Sequence, residues 1–249
     1  MNFQHWFTTW NTRSSRNIHK YIKDYNFIFL QEITKKELEK EAHKLNNSNR
    51  KIFYNCIHDD RGNGIITNLH IVKQEIGSLD VGYGSEDDTY IYVTVDLTKT
   101  DSQDPLNHLK IFCTQLDKNN EKTRLEQLQK AESPIGECEI IMGNLNCLSF
   151  ADYSLLEIDI INKRRSKNDQ EVARTQVIKF IENFGFCHRP YIGPTSTQQT
   201  RIDYIMIKKN KNIFCTGEEI IIPKSKTNNN SKHYLVAFLI HKKGRRFFL

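Results

Sequence analysis

Proline and glycine are scarce in this 249-residue chain, at 5 and 11 residues. No stretch rich in either, or in serine, divides the sequence, and no internal repeat is present, so one domain spanning residues 1–249 is expected. No apolar run approaches the ~20 residues that cross a bilayer. The opening MNFQHWFTTWNTR has no signal-peptide core and reads as a first strand. An intracellular protein without a transmembrane segment follows, in cytoplasm or nucleus, with organelle targeting left open. The six cysteines form no CxxC pair, and no histidine stands at zinc-finger spacing. Cys56, Cys113, Cys138 and Cys215 lie in strand-like apolar surroundings and are expected to be reduced, buried thiols. Neither sign of charge dominates: 36 Lys+Arg against 30 Asp+Glu give a formal +6, an excess that favours a phosphate-bearing or acidic partner without specifying one. The excess concentrates in NKRRSK (162–167) and HKKGRR (241–246), which read as a solvated loop and tail.

What is present is a succession of short apolar runs. NFIFLQEI, KIFYNCI, GIITNLHIV, LKIFCTQL, CEIIMG, RIDYIMIKK, EEIIIP and YLVAFLI each have strand length and strand composition. In TYIYVTVDL, Tyr90, Tyr92, Thr94 and Asp96 alternate with Ile91, Val93, Val95 and Leu97, the period of a half-buried strand. Helical spacing relates Ile18, Tyr21, Ile22 and Tyr25 in SSRNIHKYIKDY. Thr34 with Glu37 forms a capping box ahead of Leu38, Ala42 and Leu45. A charged helix is expected in NNEKTRLEQLQKAE. Another is expected in DQEVARTQVIKFIENFG, carrying Val172, Val177, Phe180, Ile181 and Phe184 and stopping at Gly185. Many strands with few helices between them exclude a helical bundle and strict βαβ alternation. They predict an α/β fold, a four-layer sandwich of two packed mixed β-sheets flanked by helices.

Polar residues at the ends of apolar strands are the candidates for chemistry, because a strand end holds a side chain rigidly at the rim of a sheet. They are Asn11, Glu32, Asn144 with Asn146, and Asp203, with His233 just before the last strand. Singly, each has a structural explanation: Asn11 as a helix cap, Glu32 as a solvated strand end, Asp203 as the partner of Arg201, His233 as a satisfied imidazole.

Taken together and in order, TWN (9–11), LQEI (30–33), TQL (114–116), GNLN (143–146), RIDYI (201–205) and SKH (231–233) resemble the endonuclease/exonuclease/phosphatase superfamily. That group shares the fold of pancreatic deoxyribonuclease, and its pattern runs T-x-N, Q-E, T-H-L, G-D-x-N, R-I-D-Y, S-D-H. The resemblance covers nearly the whole length. It implies a Mg²⁺ site with Glu32 as metal carboxylate and Asn11 as its polar neighbour. It also implies His233 as general base or phosphate contact, Asp203 as the residue orienting that imidazole, and Asn146 as a contact to the scissile phosphate.

Three positions depart from the pattern. Asn144 replaces the carboxylate of G-D-x-N, and an amide is a poor proton acceptor. Lys232 puts a cation where S-D-H has an acid, and Gln115 replaces the histidine of T-H-L. The resemblance therefore implies a degenerate site, with Lys232 expected to fill the vacated metal position and pair with Glu32. Two readings follow. One is a catalytically impaired binding or structural module, with Mg²⁺ absent, serving protein partners, a nucleic acid or a phosphorylated ligand. The other is an active Mg²⁺-dependent phosphodiesterase, nuclease or phosphatase in which an unmatched acid such as Asp117 or Asp152 substitutes for Asn144.

Overall fold

A computed structural model describes residues 2–12, 15, 17–45, 50–58, 61–82, 89–98, 104–188, 193–209, 213–215, 220–222 and 231–243. In chain order the elements begin β1 (Asn2–Asn11), α1 (His19–Ile22), β2 (Phe27–Thr34), α2 (Lys35–Lys44), β3 (Lys51–His58), β4 (Arg61–Thr67), β5 (His70–Ser78) and β6 (Thr89–Asp96). There follow β7 (His108–Gln115), α3 (Glu121–Lys130), α4 (Glu132–Glu137), β8 (Ile140–Asn144), α5 (Leu155–Ser166) and α6 (Gln176–Asn183). The last are β9 (Phe186–Cys187), β10 (Asp203–Lys208), β11 (Ile213–Cys215), β12 (Ile220–Ile222) and β13 (Leu235–Lys243).

The strands form two mixed sheets. One runs β11-β13-β1-β2-β4-β3, with β12 also paired to β13; the other runs β5-β6-β7-β8-β10-β9. Strands β1 and β2 are parallel neighbours in the first, β7 and β8 in the second. Between the sheets lies an apolar layer that includes Phe7, Phe29, Ile65, Val93, Ile111, Met142, Ile205 and Phe238, all buried. Helices α1 and α2 cover the outer face of the first sheet through Ile22, Leu38 and Ala42. Helices α3, α4 and α6 cover the second through Leu128, Ile135 and Ile181. Four layers result, as the strand pattern predicts, because each sheet is apolar on both faces and both faces must be covered.

Several elements differ from the sequence expectation. GIITNLHIV is not one strand: β4 ends at Thr67 and β5 starts at His70 in the other sheet. The chain turns where Thr67 Oγ1 accepts from Leu69 N. Strand β6 is buried on both faces, Val93 toward the other sheet and Tyr92 toward the helices. The first helix is reduced to His19–Ile22, although Ile18, Ile22 and Tyr25 are buried and Tyr21 packs beside them. Around Thr34 both halves of the capping box form. NKRRSK is the last turn of α5 rather than a loop. That helix exposes Leu155, Leu156 and Ile160 and buries Ile161, so it shows no inward apolar stripe. Helix α6 starts only at Gln176, leaving Val172 exposed. The segment before it is held outside a helix, with the Glu171 carboxylate accepting from Glu121 N and Asn162 Oδ1 accepting from Ala173 N. Cys113 and Cys138 are buried free thiols, as is Cys147. The side chains of Cys56 and Cys215 lie outside the described residues, as do residues 244–249.

Where β7 and β8 run parallel, Gly143 has φ +138° and an added Cβ would stand 1.8 Å from the Thr114 carbonyl oxygen. Gly143→Ala must therefore push the two strands apart beside Asn144. It is expected to cost about 3 kcal/mol or more, read as a lowered urea midpoint against the unmodified chain.

Candidate functional site

Period-two alternation decides which polar residues reach the rim of the sandwich. Cys113, Met142 and Ile205 are register partners on β7, β8 and β10 and face the layer between the sheets. Two residues further along that face, Gln115, Asn144 and Asp203 are register partners in turn, a polar row across three strands. On β1, Asn11 shares the face of Phe7, which also points between the sheets.

Strand β2 needs a further device. Phe27 and Phe29 face the inter-sheet layer while Ile28 and Leu30 face the helices, so plain alternation would send Glu32 toward the helices. A bulge intervenes: Leu30 pairs with Gly64 and Ile33 with Gly62, leaving Gln31 and Glu32 opposite a single residue. Glu32 adopts φ +52°, Ile33 rejoins the helix-side cluster, and the Glu32 carboxylate turns to the rim. A left-handed glutamate costs about 1–3 kcal/mol, which the surrounding sheet sustains. Arg61 Nη1 donates to the Glu32 carbonyl at 2.6 Å and Gln31 Nε2 to Thr9 Oγ1 at 2.6 Å. Asn146 is also left-handed, at φ +49°, a conformation asparagine tolerates.

These placements bring the expected residues together. Glu32 Oε1 accepts from Asn11 Nδ2 at 2.7 Å and from Gln115 Nε2 at 3.2 Å. Asn144 Oδ1 accepts from the Asn146 backbone N–H at 2.9 Å, and Asn146 Nδ2 donates to the Leu116 carbonyl at 2.7 Å. His233 Nδ1 lies 3.0 and 3.2 Å from the two oxygens of Asp203. Asp203 pairs with His233 and not with Arg201, whose guanidinium lies 3.9 Å from Asp152.

The His233 imidazole is largely buried, and burial by itself opposes its charge. Against that stand the Asp203 charge, the Asp203 hydrogen bond and the Glu32 carboxylate, which together hold the pKa above the ordinary 6.5, with Lys232 opposing. Two residues without a role in the sequence reading fix this pair. Thr195 Oγ1 accepts from Asp203 N at 3.0 Å, and Ser231 Oγ accepts from His233 N at 3.0 Å while donating to the Asn11 carbonyl. Ser231 stands inside the quoted SKH, but nothing in the sequence marks Thr195.

The expectation for Lys232 is not met. Its side chain is exposed and forms no ion pair with Glu32, which is bonded by two neutral amides instead. The Lys232 carbonyl accepts from Thr197 N at 2.8 Å, and between Ser231 and His233 the backbone turns His233 inward and Lys232 outward. Gln115, which stands where T-H-L has its histidine, donates to Glu32.

A magnesium ion implied by the resemblance does not fit this donor set. Mg²⁺ takes oxygen ligands with the help of nearby negative charge, but both amides present N–H groups to Glu32. The Asp203 carboxylate is engaged by His233. Among the described residues no cluster of three or more His, Cys, Asp or Glu side chains could hold a metal ion. The acids proposed to replace Asn144 are engaged elsewhere. Asp117 Oδ1 accepts from the N–H groups of Asn119 and Asn120, and Asp152 is buried beside His188 at 3.1 Å.

From His233 and Asn146 a cleft of about 290 Å³ opens over Lys118, Arg165 and Lys232. One wall is the segment Asp169–Glu171, tied down by an ion triad. Arg124 Nη2 lies 3.1 Å from Glu121 and 2.5 Å from Glu171, and Arg124 Nη1 donates to the Asp117 carbonyl. Arg165 was within reach of sequence reasoning through the charge concentration in NKRRSK. The helix that aims it was not.

No protein-family model matches the chain, and no curated protein matches it by sequence. The fold has solved counterparts. An endonuclease/exonuclease/phosphatase family protein of Bacteroides thetaiotaomicron superposes with a TM-score of 0.67 at 13% identity, over 98% of this chain and 100% of its own. The human Nocturnin catalytic domain, crystallised with a sulfate anion, gives 0.66 at 11%, over 96% and 93%. D. rerio TDP2 complexed with a single-strand DNA product gives 0.64 at 13%, over 95% and 98%. The chain thus has the endonuclease/exonuclease/phosphatase fold, shared with nucleases and phosphatases.

Because the folded pKa of His233 is raised, its contribution to stability is complete below about pH 6.5 and is lost as pH rises through the folded value. Asp203→Asn removes the charge and the ionic hydrogen bond but leaves the burial. The His233 midpoint, followed by NMR of its ring protons, should fall; a midpoint unmoved by the substitution would refute this account.

Proposed function

We propose that this protein is a catalytically impaired member of the fold, keeping the old site as a binding pocket for a phosphate-bearing ligand and serving as a binding or structural module, as one subunit among protein partners or alone. The observation that carries the reading is the middle of the polar row. Where G-D-x-N has its carboxylate, Asn144 is neutral, and its oxygen is bonded to the Asn146 backbone. A neutral amide there neither takes a proton from water nor adds charge for a cation. Beside it the Glu32 carboxylate accepts from the amides of Asn11 and Gln115, and its charge reaches the His233 imidazole. What remains suits anion binding: a His233 imidazole held toward its charged form, the Asn146 side chain, and Lys232 beside them on the cleft wall.

One observation favours the other reading, a residual phosphodiesterase or phosphatase. The His233–Asp203 pair keeps the geometry of a general base and its orienting acid. Such a pair alone can shuttle a proton but lacks a partner for the charge that develops on phosphorus oxygens. Loss of one electrostatic group of that kind typically costs ~10²–10³ in rate.

The deciding measurement is hydrolysis of a generic phosphodiester and phosphomonoester, with Mg²⁺ and with EDTA, by the unmodified chain and by Asn144→Asp combined with Lys232→Asp. Turnover at background for the unmodified chain is expected, with any activity confined to the double variant. EDTA-sensitive turnover by the unmodified chain, abolished by Glu32→Ala, would sink the proposal.

A further inference from the structure

The cleft beside His233 carries more positive charge than its own carboxylates neutralise: Lys118, Arg124, Arg165 and Lys232 line it with only Asp169 and Glu171. Of the lining cations, Arg124 is held by Glu121 and Glu171. Arg165 is not so matched: Nη1 donates to the Glu171 carbonyl at 3.2 Å, and among the described residues no carboxylate lies within ion-pair distance. Lys118 is exposed at the same end, one residue beyond Asp117, whose carbonyl accepts from Arg124. Burial, and after it the neighbouring Arg124, push the Arg165 proton affinity down, with Glu171 opposing, so this guanidinium is short of negative charge. A partly buried arginine without a carboxylate, open to a cleft, is suited to bidentate contact with an oxyanion.

The remaining surface narrows the ligand. Asn119, Gln170, Ser196, Thr197 and Gln198 offer amides and hydroxyls, Ile202 is the apolar contribution, and no Phe, Tyr or Trp ring lines the cleft among the described residues. Single-stranded nucleic acids are held largely by bases stacking on aromatic side chains, and this cleft provides no such platform. Its volume of about 290 Å³ stands at the lower limit of small-molecule sites, ~300–1,000 Å³.

We propose that Arg165 and Lys118 form a second anion subsite, so that the cleft takes a small hydroxylated molecule bearing two phosphate groups, one at His233 and Asn146 and the other at Arg165 and Lys118. This rests on the phosphate-binding reading of the His233 end and extends it. The walls are set before the ligand arrives, because the Glu121–Arg124–Glu171 triad fixes one side and the Thr197–Lys232 backbone bond the other.

The test is calorimetric titration of the full chain at low ionic strength with fructose 1,6-bisphosphate, fructose 6-phosphate and a short oligothymidylate. The bisphosphate is expected to bind at least ~10-fold more tightly than the monophosphate, in line with one added charge-assisted contact. Arg165→Ala and Lys118→Ala should each reduce that ratio while leaving monophosphate affinity within about twofold, the value expected where the contact is absent. Lys118 is exposed, so its variant stands even if Arg165→Ala loosens the wall. Equal affinity for the two sugars, or a ratio unchanged by both substitutions, overturns the second subsite and leaves the first intact. No sugar phosphate binding at all, or none that His233→Ala weakens, overturns the underlying reading. Tighter binding of the oligothymidylate overturns the ligand class.

Discussion

Register is the constraint on which the rest of this structure depends. Two sheets packed face to face bury one set of alternate residues between them, and the last member of each set falls at the rim whatever its chemistry. Gln115, Asn144 and Asp203 meet because Cys113, Met142 and Ile205 are aligned in the core beneath them. A one-residue slip of β8 would bury Asn144 against the helices and bring an apolar neighbour to the rim. The core therefore fixes the site's positions before any side chain there makes a contact.

Much of this was legible in the sequence, for reasons that can be named. The strands announced themselves through apolar runs, and the four-layer arrangement followed from their number. Asn11, Glu32, Asn146, Asp203 and His233 stood out because each ends or precedes such a run. What escaped were features set by tertiary contacts. Alternation alone would have aimed Glu32 at the helices; the bulge that redirects it leaves no mark in LQEI beyond the residues themselves. Helix α5 turns leucines and an isoleucine outward, so periodicity could not find it. The inward turn of His233 and outward turn of Lys232 depend on Thr197 and Ser231, which sequence order leaves far from Asn11.

The chemistry of the rim changes character around a retained frame. In the pattern this chain resembles, a negative charge stands at the middle of the row. Here the row runs amide, amide, carboxylate, and the carboxylate is matched to an imidazole. Glu32 accepts from the amides of Asn11 and Gln115. Negative charge has left the centre while positive charge lines the adjoining cleft. Positive charge of this kind suits an anion whether it is held or attacked, so the departure that bears on chemistry is the amide at Asn144, which takes no proton from water.

The left-handed Glu32 has a consequence for how such a protein could be altered. Its backbone conformation is the difficult part of the arrangement to build, because it needs a bulge, a local energetic cost and sheet partners on both sides. That part is still in place, and the departures at Asn144, Lys232 and Gln115 are all in side chains. For a protein engineer the chain is a scaffold whose geometry is already written in the main chain, so chemistry could be changed at the rim without recasting the fold beneath it.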